Sequence, residues 1–451
     1  MTKQGKILLA GFVGLLAAAA CHAQESDALF KDSSWSFHFQ LTVIAQAHPG
    51  FKAKYSGMNS LADTVEFGAT SITSTLFIGK KLWKNASFYL DPELSGGRGL
   101  SYALGVAGAL NGETYRIGNP APVISIARAY LQQNFALGNS EFEDQDNSAN
   151  KVTGKIPTSR ITISAGKFSM SDFYDINAYT HDPRSQFLNW ALMSNGSWDY
   201  PANTKGYTYG LVLELIKPAW AVRISSVAVP KIANHPEMEY VFQKAHSETA
   251  ELEKKVNIHQ HAGTIRLLFS YTASRAPSYN EGLAALKNGD TALLDVISGN
   301  AENNKYGGKK YGIGLNIDQE IASNIGAFAR LGWNDGQYAT WAFTEIDQTA
   351  QLGLSFKGAG WNRKEDVLGV ALVINGISDK HREFLENGGY GFIIGDGRLN
   401  YGHEAIAETY YSAKIFDKCW LTLDYQFVDN PGYNKDRGPV HVFSVRAHVE
   451  F

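Results

Sequence analysis

Four arginines and four carboxylates mark the chemistry open to this 451-residue chain: Arg128, Arg223, Arg266 and Arg330, with Glu93, Glu214, Asp318 and Glu408. Each occupies the polar phase of a segment in which apolar and polar residues alternate, and the same phase carries Asp91, Tyr130, Gln132, Asn316, Glu320, Glu404, Asp424, Gln426 and Arg446. A guanidinium is a fixed fork of donors and a carboxylate an acceptor of two bonds, so such a face either meets a polar solute or closes on itself as an ion-pair lattice. Catalytic motifs are incomplete by comparison. His403-Glu404 with Glu408 lacks the second histidine of a zinc-helix motif, the intervening residues being Ala405, Ile406 and Ala407. His246-Ser247-Glu248 are adjacent residues, which in a strand point to opposite faces and cannot assemble a proton relay. No nucleophile elbow, phosphate loop or Cys-x-x-Cys occurs, so no enzymatic activity, cofactor or metal is expected.

The elements that position these groups follow from composition and pattern. With 41 Lys and Arg against 44 Asp and Glu, a net charge of −3, the chain has no basic surplus to neutralise phosphates, which argues against nucleic acid as a partner. Only 19% of residues are charged while 44 are glycine, a balance foreign to disordered chains. Lys3 and Lys6, the apolar run Ile7 to Ala20 and the small residues around Cys21-His22-Ala23 predict a secretory signal over residues 1–23, with 24–451 as the mature chain. Leu16 lies too far from Cys21 for a good lipoprotein signal. Once Cys21 is removed only Cys419 remains, which excludes an intrachain disulfide. No later stretch is apolar over the roughly 18 residues of a spanning helix.

Period-two alternation dominates instead. It runs through Trp35, Phe37, Phe39, Leu41 and Val43, and recurs from Tyr207, Ile265, Tyr311, Ile325, Ala350, Leu421 and Phe443. Weaker instances lie near Ser71, Ser87, Ile126, Ile161, Val222, Leu252, Leu368 and Ala405. The total predicts an all-β transmembrane antiparallel barrel of about 16 strands with long external loops, formed as one domain. A lipid-facing Arg or Lys at the midplane costs about 2–4 kcal/mol, so alternation sends the charged phase into a water-filled lumen. Leu82 to Ala86, Lys217-Pro218 and Phe416 to Cys419 suit the turn side. Ser95 to Pro122, Gly138 to Thr158, Ser169 to Thr204, Ser274 to Lys310 and Asp379 to His403 suit the outward face, with loop helices expected over Pro183 to Met193 and Leu283 to Ile297. About ten mature residues precede Trp35, too few for a plug, which favours passive passage.

Two regions carry a family resemblance. Gly166-Lys167-Phe168-Ser169-Met170-Ser171-Asp172-Phe173-Tyr174-Asp175, Asp182-Pro183-Arg184, Gln186 to Leu192 and Trp198-Asp199-Tyr200-Pro201-Ala202 resemble a segment of the carbohydrate-selective porins of the OprB type. Leu423 to Asn434 and Arg437-Gly438-Pro439-Val440 resemble that family's final strand pair, and Phe451 resembles the aromatic end of outer-membrane barrels. The resemblance implies a porin of a Gram-negative outer membrane passing mono- or oligosaccharides, its partners being small sugars and outer-membrane lipid, as monomer or homotrimer. The eight residues named first are then the expected sugar-facing set, because a sugar's hydroxyls need both donors and acceptors. Tyr130, Trp190 and Trp198 could stack on a sugar ring or belong to the interfacial girdle. Flux demands weak binding, on the order of millimolar or about −4 kcal/mol. The Glu141 to Asp146 run and the Tyr279 to Lys309 insertion match nothing in the family's pattern, and the identity of the sugar stays open. A general or carboxylate-type diffusion porin, an outer-membrane hydrolase and an adhesive barrel are the alternatives.

Overall fold

The computed structural model describes residues 33–114 and 120–451; the signal-peptide expectation for residues 1–23 falls outside the described residues. Sixteen antiparallel strands form one closed barrel. They are β1 Trp35–His48, β2 Glu66–Lys81, β3 Ala86–Gly97, β4 Val123–Ala136, β5 Arg160–Phe168, β6 Thr208–Lys217, β7 Trp220–Val227 and β8 His246–Ile258. The second half comprises β9 His261–Ser274, β10 Gly308–Ala322, β11 Ile325–Asn334, β12 Gln348–Lys357, β13 Val367–Gly376, β14 Glu404–Phe416, β15 Cys419–Asp429 and β16 Val440–Glu450. Every strand pairs with its sequence neighbour, and β1 closes on β16 from Gln40↔Glu450 to Ala47↔Phe443. Closure leaves no unpaired edge, the condition for strands to cross a bilayer. Among the described residues no helix is long and apolar enough to do so.

Alternation separates two environments along each strand. On β12, Leu352 is 61% exposed on the outer wall while its neighbour Gln351 is 2% exposed inside. Leu211, Ile224, Leu331, Leu423 and Phe443 continue the outer apolar surface. Tight turns at 218–219, 259–260, 323–324 and 417–418 join strands at one end, helped by the left-handed backbone of His259, Gln260 and Lys418. Both described chain ends lie at that end, which is the periplasmic one in barrels of this construction.

Strand parity corrects one expectation. Gly138 to Thr158 does not lie on the outward face. It connects β4 to β5, and because β4 runs toward the turn end, so does this loop. Loop length suggested the outward side, but only the number of preceding strands decides it. The segment folds as a short ribbon, Phe142–Gln145 against Gly154–Pro157, and turns back across the mouth. Asn147 Oδ1 lies 3.2 Å from His38 Nε2, and Val152 is buried beside Tyr89 and Gly79.

The loop helices also differ. Leu283 to Ile297 is not one helix. Gly289, at φ +70°, ends α2, Tyr279–Asn288, and Asp290 caps the next, α3, Thr291–Ile297, by accepting the Leu293 N–H at 3.2 Å. Of Pro183 to Met193 only α1, Trp190–Met193, is helical. The preceding amides of Leu188 and Asn189 are bound by Glu408 of the wall rather than by a preceding turn. A helix the periodicity does not announce, α4, Asp379–Glu386, starts at the cap Ser378 and packs its His381 ring 4.3 Å from that of Tyr279.

The side assignment is checked by thiol labelling of intact cells with a bulky maleimide. Lys287→Cys on α2 labels from outside, whereas Asp144→Cys labels only after the outer membrane is permeabilised; the buried Cys419 gives the background.

Candidate functional site: a lumen filled by anchored loops

Inside the barrel the wall charges meet backbone rather than open water. The 169–207 segment leaves β5, enters the barrel and contacts walls on opposite sides. Arg330 donates from Nε to Asp175 Oδ1 at 3.1 Å, from Nη1 to the Leu192 carbonyl at 2.9 Å and from Nη2 to the Thr180 carbonyl at 2.8 Å. Asp175 in turn accepts the Asn195 N–H at 2.8 Å and the Asn316 amide at 2.7 Å, while its own N–H goes to Glu251 at 2.8 Å. Across the lumen Glu408 accepts from the Leu188 and Asn189 amides, and Arg446 holds the Pro183 and Gln186 carbonyls at 2.7 and 2.6 Å. A second segment, around Leu100 to Thr114, is held the same way: Glu404 accepts the amides of Ala107, Gly108 and Gly432 at 2.9, 2.7 and 2.8 Å.

Other wall charges pair with one another. Arg223 contacts Glu214, Glu251 and Glu253 at 3.0, 3.1 and 3.0 Å, and Arg266 joins Glu253 at 3.2 Å to Asp318 at 2.5 Å. This belt spans five adjacent strands, β6 to β10. Arg128 lies between Asp91 of β3, at 3.3 Å, and Asp172 of the in-folded segment, at 2.7 Å; Asp91 also accepts from Asn150 of the turn-side ribbon at 2.9 Å. Glu93 accepts from Thr75, Tyr207 and Arg184, whose Nε reaches Glu113 at 3.0 Å.

All eight residues of the expected set therefore face inward, but they do not line an open water-filled bore. Glu93, Arg330 and Glu408 are closed over, at 0%, 0% and 1% exposure, whereas Arg128, Glu214, Arg223, Arg266 and Asp318 keep 6–8%. Tyr130, Trp190 and Trp198 are neither girdle nor free stacking faces. Trp190 packs 4.9 Å from Phe343, Trp198 5.2 Å from Tyr200 and Tyr130 5.1 Å from Tyr89, all within the protein interior. Sequence reasoning missed Asp172, Asp175 and Arg184 as anchors because they sit in a loop with no periodicity. Glu251 and Glu253 share a strand phase and were within reach of the alternation argument.

An open space lies toward the turn end. A cavity of about 500 Å³ has Tyr179, Arg184 and Gln186 of the in-folded segment as its inner surface, and Glu320, Lys357, Glu365, Trp420, His448 and Glu450 around it. At the opposite end the loops carrying Tyr279, Glu345 and His381 meet as a cap: the Tyr279 and His381 rings stack, and Glu345 accepts the Ile393 amide at 2.7 Å. Burial pushes the Glu345 carboxyl up to about 7, against the opposing pull of His381 and the Ile393 and Ile394 amides it accepts. Burial acts to raise Asp347 as well, but His381, 3.0 Å away, together with Lys310 and the Ser378 amide, outweighs it and holds that carboxyl below its ordinary value.

A closed sixteen-strand barrel with an apolar outer wall and charge-anchored loops inside is the architecture of an outer-membrane β-barrel protein. The model of the carbohydrate-selective porins, OprB family, matches residues 79–451, and the chain belongs to that family. It is thus a passive, carbohydrate-selective porin of the Gram-negative outer membrane. Among solved structures, OprB of Pseudomonas putida shares the fold at a TM-score of 0.67 and 15% identity, covering 95% of this chain and 97% of that one. DcaP of Acinetobacter baumannii follows at 0.49 and 9%, covering 94% and 99%, and OmpT of Vibrio cholerae at 0.46 and 11%, covering 94% and 99%. No curated protein matches the sequence.

Two outcomes follow from this geometry. Arg330→Met leaves Asp175 and two carbonyls without their buried partner, weakening the docking of the 169–207 segment by about 3–5 kcal/mol. Protease cleavage after Arg184 or Lys205, in a barrel that still migrates as folded on unheated gels, measures it; Arg330→Lys is intermediate because it lacks the fork. For Glu345 the folded value lies above the ordinary 4.5, so its contribution to the cap is full in acid and is lost as pH rises from about 4.5 to 7. Hydrogen-exchange protection of the Ile393 and Ile394 amides should fall over that window, and Glu345→Gln should flatten the dependence.

Proposed function

We propose that sugars reach the 500 Å³ turn-side cavity past the wall residues Arg128, Glu214, Arg223, Arg266 and Asp318, which are buried but keep 6–8% exposure and hydrogen-bond to them in passing. Glu93, Arg330 and Glu408 act on the same solute by fixing the segment that narrows the lumen. The observation that carries this reading is the balance of the cavity lining. Arg184, Lys357 and His448 alternate with Glu320, Glu365 and Glu450, and Tyr179 and Trp420 supply ring faces. A neutral polyhydroxyl solute uses donors, acceptors and flat apolar faces together, whereas a carboxylate-selective path would concentrate cations. Weak binding keeps the solute moving. In the same reading residues 1–23 are removed as a signal peptide, 24–451 form the barrel, and it works in the lipid as monomer or homotrimer.

Liposome swelling with graded mono- and disaccharides tests the reading. Uptake should fall steeply with solute size, and millimolar sugar should reversibly reduce conductance in planar bilayers. Trp420→Ala should weaken that block several-fold with unchanged barrel migration. Conductance indifferent to every sugar would replace this reading with a general diffusion porin.

A further inference from the structure

A second turn-side cavity, of about 580 Å³, differs in charge from the first. It lies between the ribbon 142–157 and the ends of β2, β3 and β4. Lys80, Lys81, Lys84 and Lys155 line it together with Asn85, Gln132, Asn134, Gln145, Tyr89 and Trp83, and no carboxylate is among the lining residues. The two cavities open at the same end of the same barrel, yet one balances its charges and the other holds cations only.

The lysines are not equivalent. Lys80 Nζ donates to Ser34 Oγ at 2.6 Å and sits 4.3 Å above the Trp35 ring, so it belongs to the wall. Lys155 has Asp144 at 4.0 Å, with both side chains largely in solvent, a pairing worth little. Lys81 is half-buried on the inward phase of β2, and its ammonium lies 3.0 Å from where a Cβ on Gly154 would stand. Glycine at 154 leaves the space in front of that ammonium open. Lys84 projects from the turn between β2 and β3 at the rim. Lys81 thus presents its ammonium to a space whose other polar lining groups are neutral amides and hydroxyls, with Lys84 and Lys155 along its rim.

We propose that this cavity is a phosphate-binding site facing the periplasm, separate from the sugar path. Lys81, Lys84 and Lys155 provide point charges for an anion, and the neighbouring side-chain amides add donors. A phosphate fits better than a neutral sugar, because the lining lysines bring positive charge that no carboxylate of the lining balances, and an anion supplies that balance. The group could arrive on a soluble phosphorylated solute or on the headgroup of an inner-leaflet lipid, and the two sources are separable.

The test uses the full mature chain in amine-oxide micelles, free of phosphate and sugar, with inorganic phosphate followed by equilibrium dialysis at low ionic strength. Saturable binding is expected, weakening on addition of salt as screening shortens the reach of the charges to about 3 Å at 1 M. Lys81→Gln/Lys84→Gln/Lys155→Gln should reduce affinity about ten-fold or more through lost charge-assisted bonds. Gly154→Val, which keeps every charge and fills the space before Lys81, should reduce it as well; both variants must migrate as folded barrels. Competition by phosphatidylglycerol nanodiscs, absent with phosphatidylcholine, identifies the lipid source, and undiminished phosphate binding in both identifies the soluble one. Absence of saturable binding, or equal binding by wild type and both variants, overturns the proposal.

Discussion

Backbone brought inside a barrel must find hydrogen-bond partners there, and this constraint organises the interior. A strand hands its N–H and C=O groups to its neighbours, but a loop folded into the lumen has no ladder to join. Each buried amide or carbonyl left unpaired would cost about 1–3 kcal/mol. The wall answers with charges matched to what the loop presents: Glu404 and Glu408 take amides, Arg330 and Arg446 take carbonyls. These side chains are as much part of the loop's secondary structure as a cap is of a helix.

The same residues explain why the interior tolerates so much buried charge. A lone buried ion is costly, and a buried pair recovers that cost only when its remaining donors and acceptors are also met. Arg223 has three carboxylates around it and Arg266 two, so each guanidinium spreads its donors over several acceptors. The belt ties β6 through β10 together on the inner face without demanding apolar volume, and the in-folded segments supply the apolar part. Trp190, Tyr200 and Phe343 form an aromatic cluster between loops rather than between strands.

Function follows from what this packing leaves open. Anchored loops fill the outward half, and two cavities open at the turn end, where one mixes signs and the other is cationic. Arg128 stands where segments from both ends of the barrel meet, since Asp172 approaches from one side and Asn150, through Asp91, from the other. A change in either loop is therefore felt at the same guanidinium.

Much of this was legible in the chain. Alternation is a local property of each strand, so strand number, the inward phase of Arg223 or Asp318 and the short turn at 417–418 could be read directly, and the Trp, Asn and Asp placements around Gly166 to Ala202 carried the family. Which end a loop occupies was not legible from the length of 138–158, because that depends on the parity of every strand before it. Nor was the fate of the charges. Alternation determines that Arg330 points inward, but whether it meets water, another wall residue or the carbonyls of Thr180 and Leu192 depends on where residues some 150 positions away come to lie. Sequence by itself determined the barrel and the face each side chain takes; only the tertiary structure decided what fills that barrel, because long-range partners are set by the closure of the whole sheet and not by any local pattern.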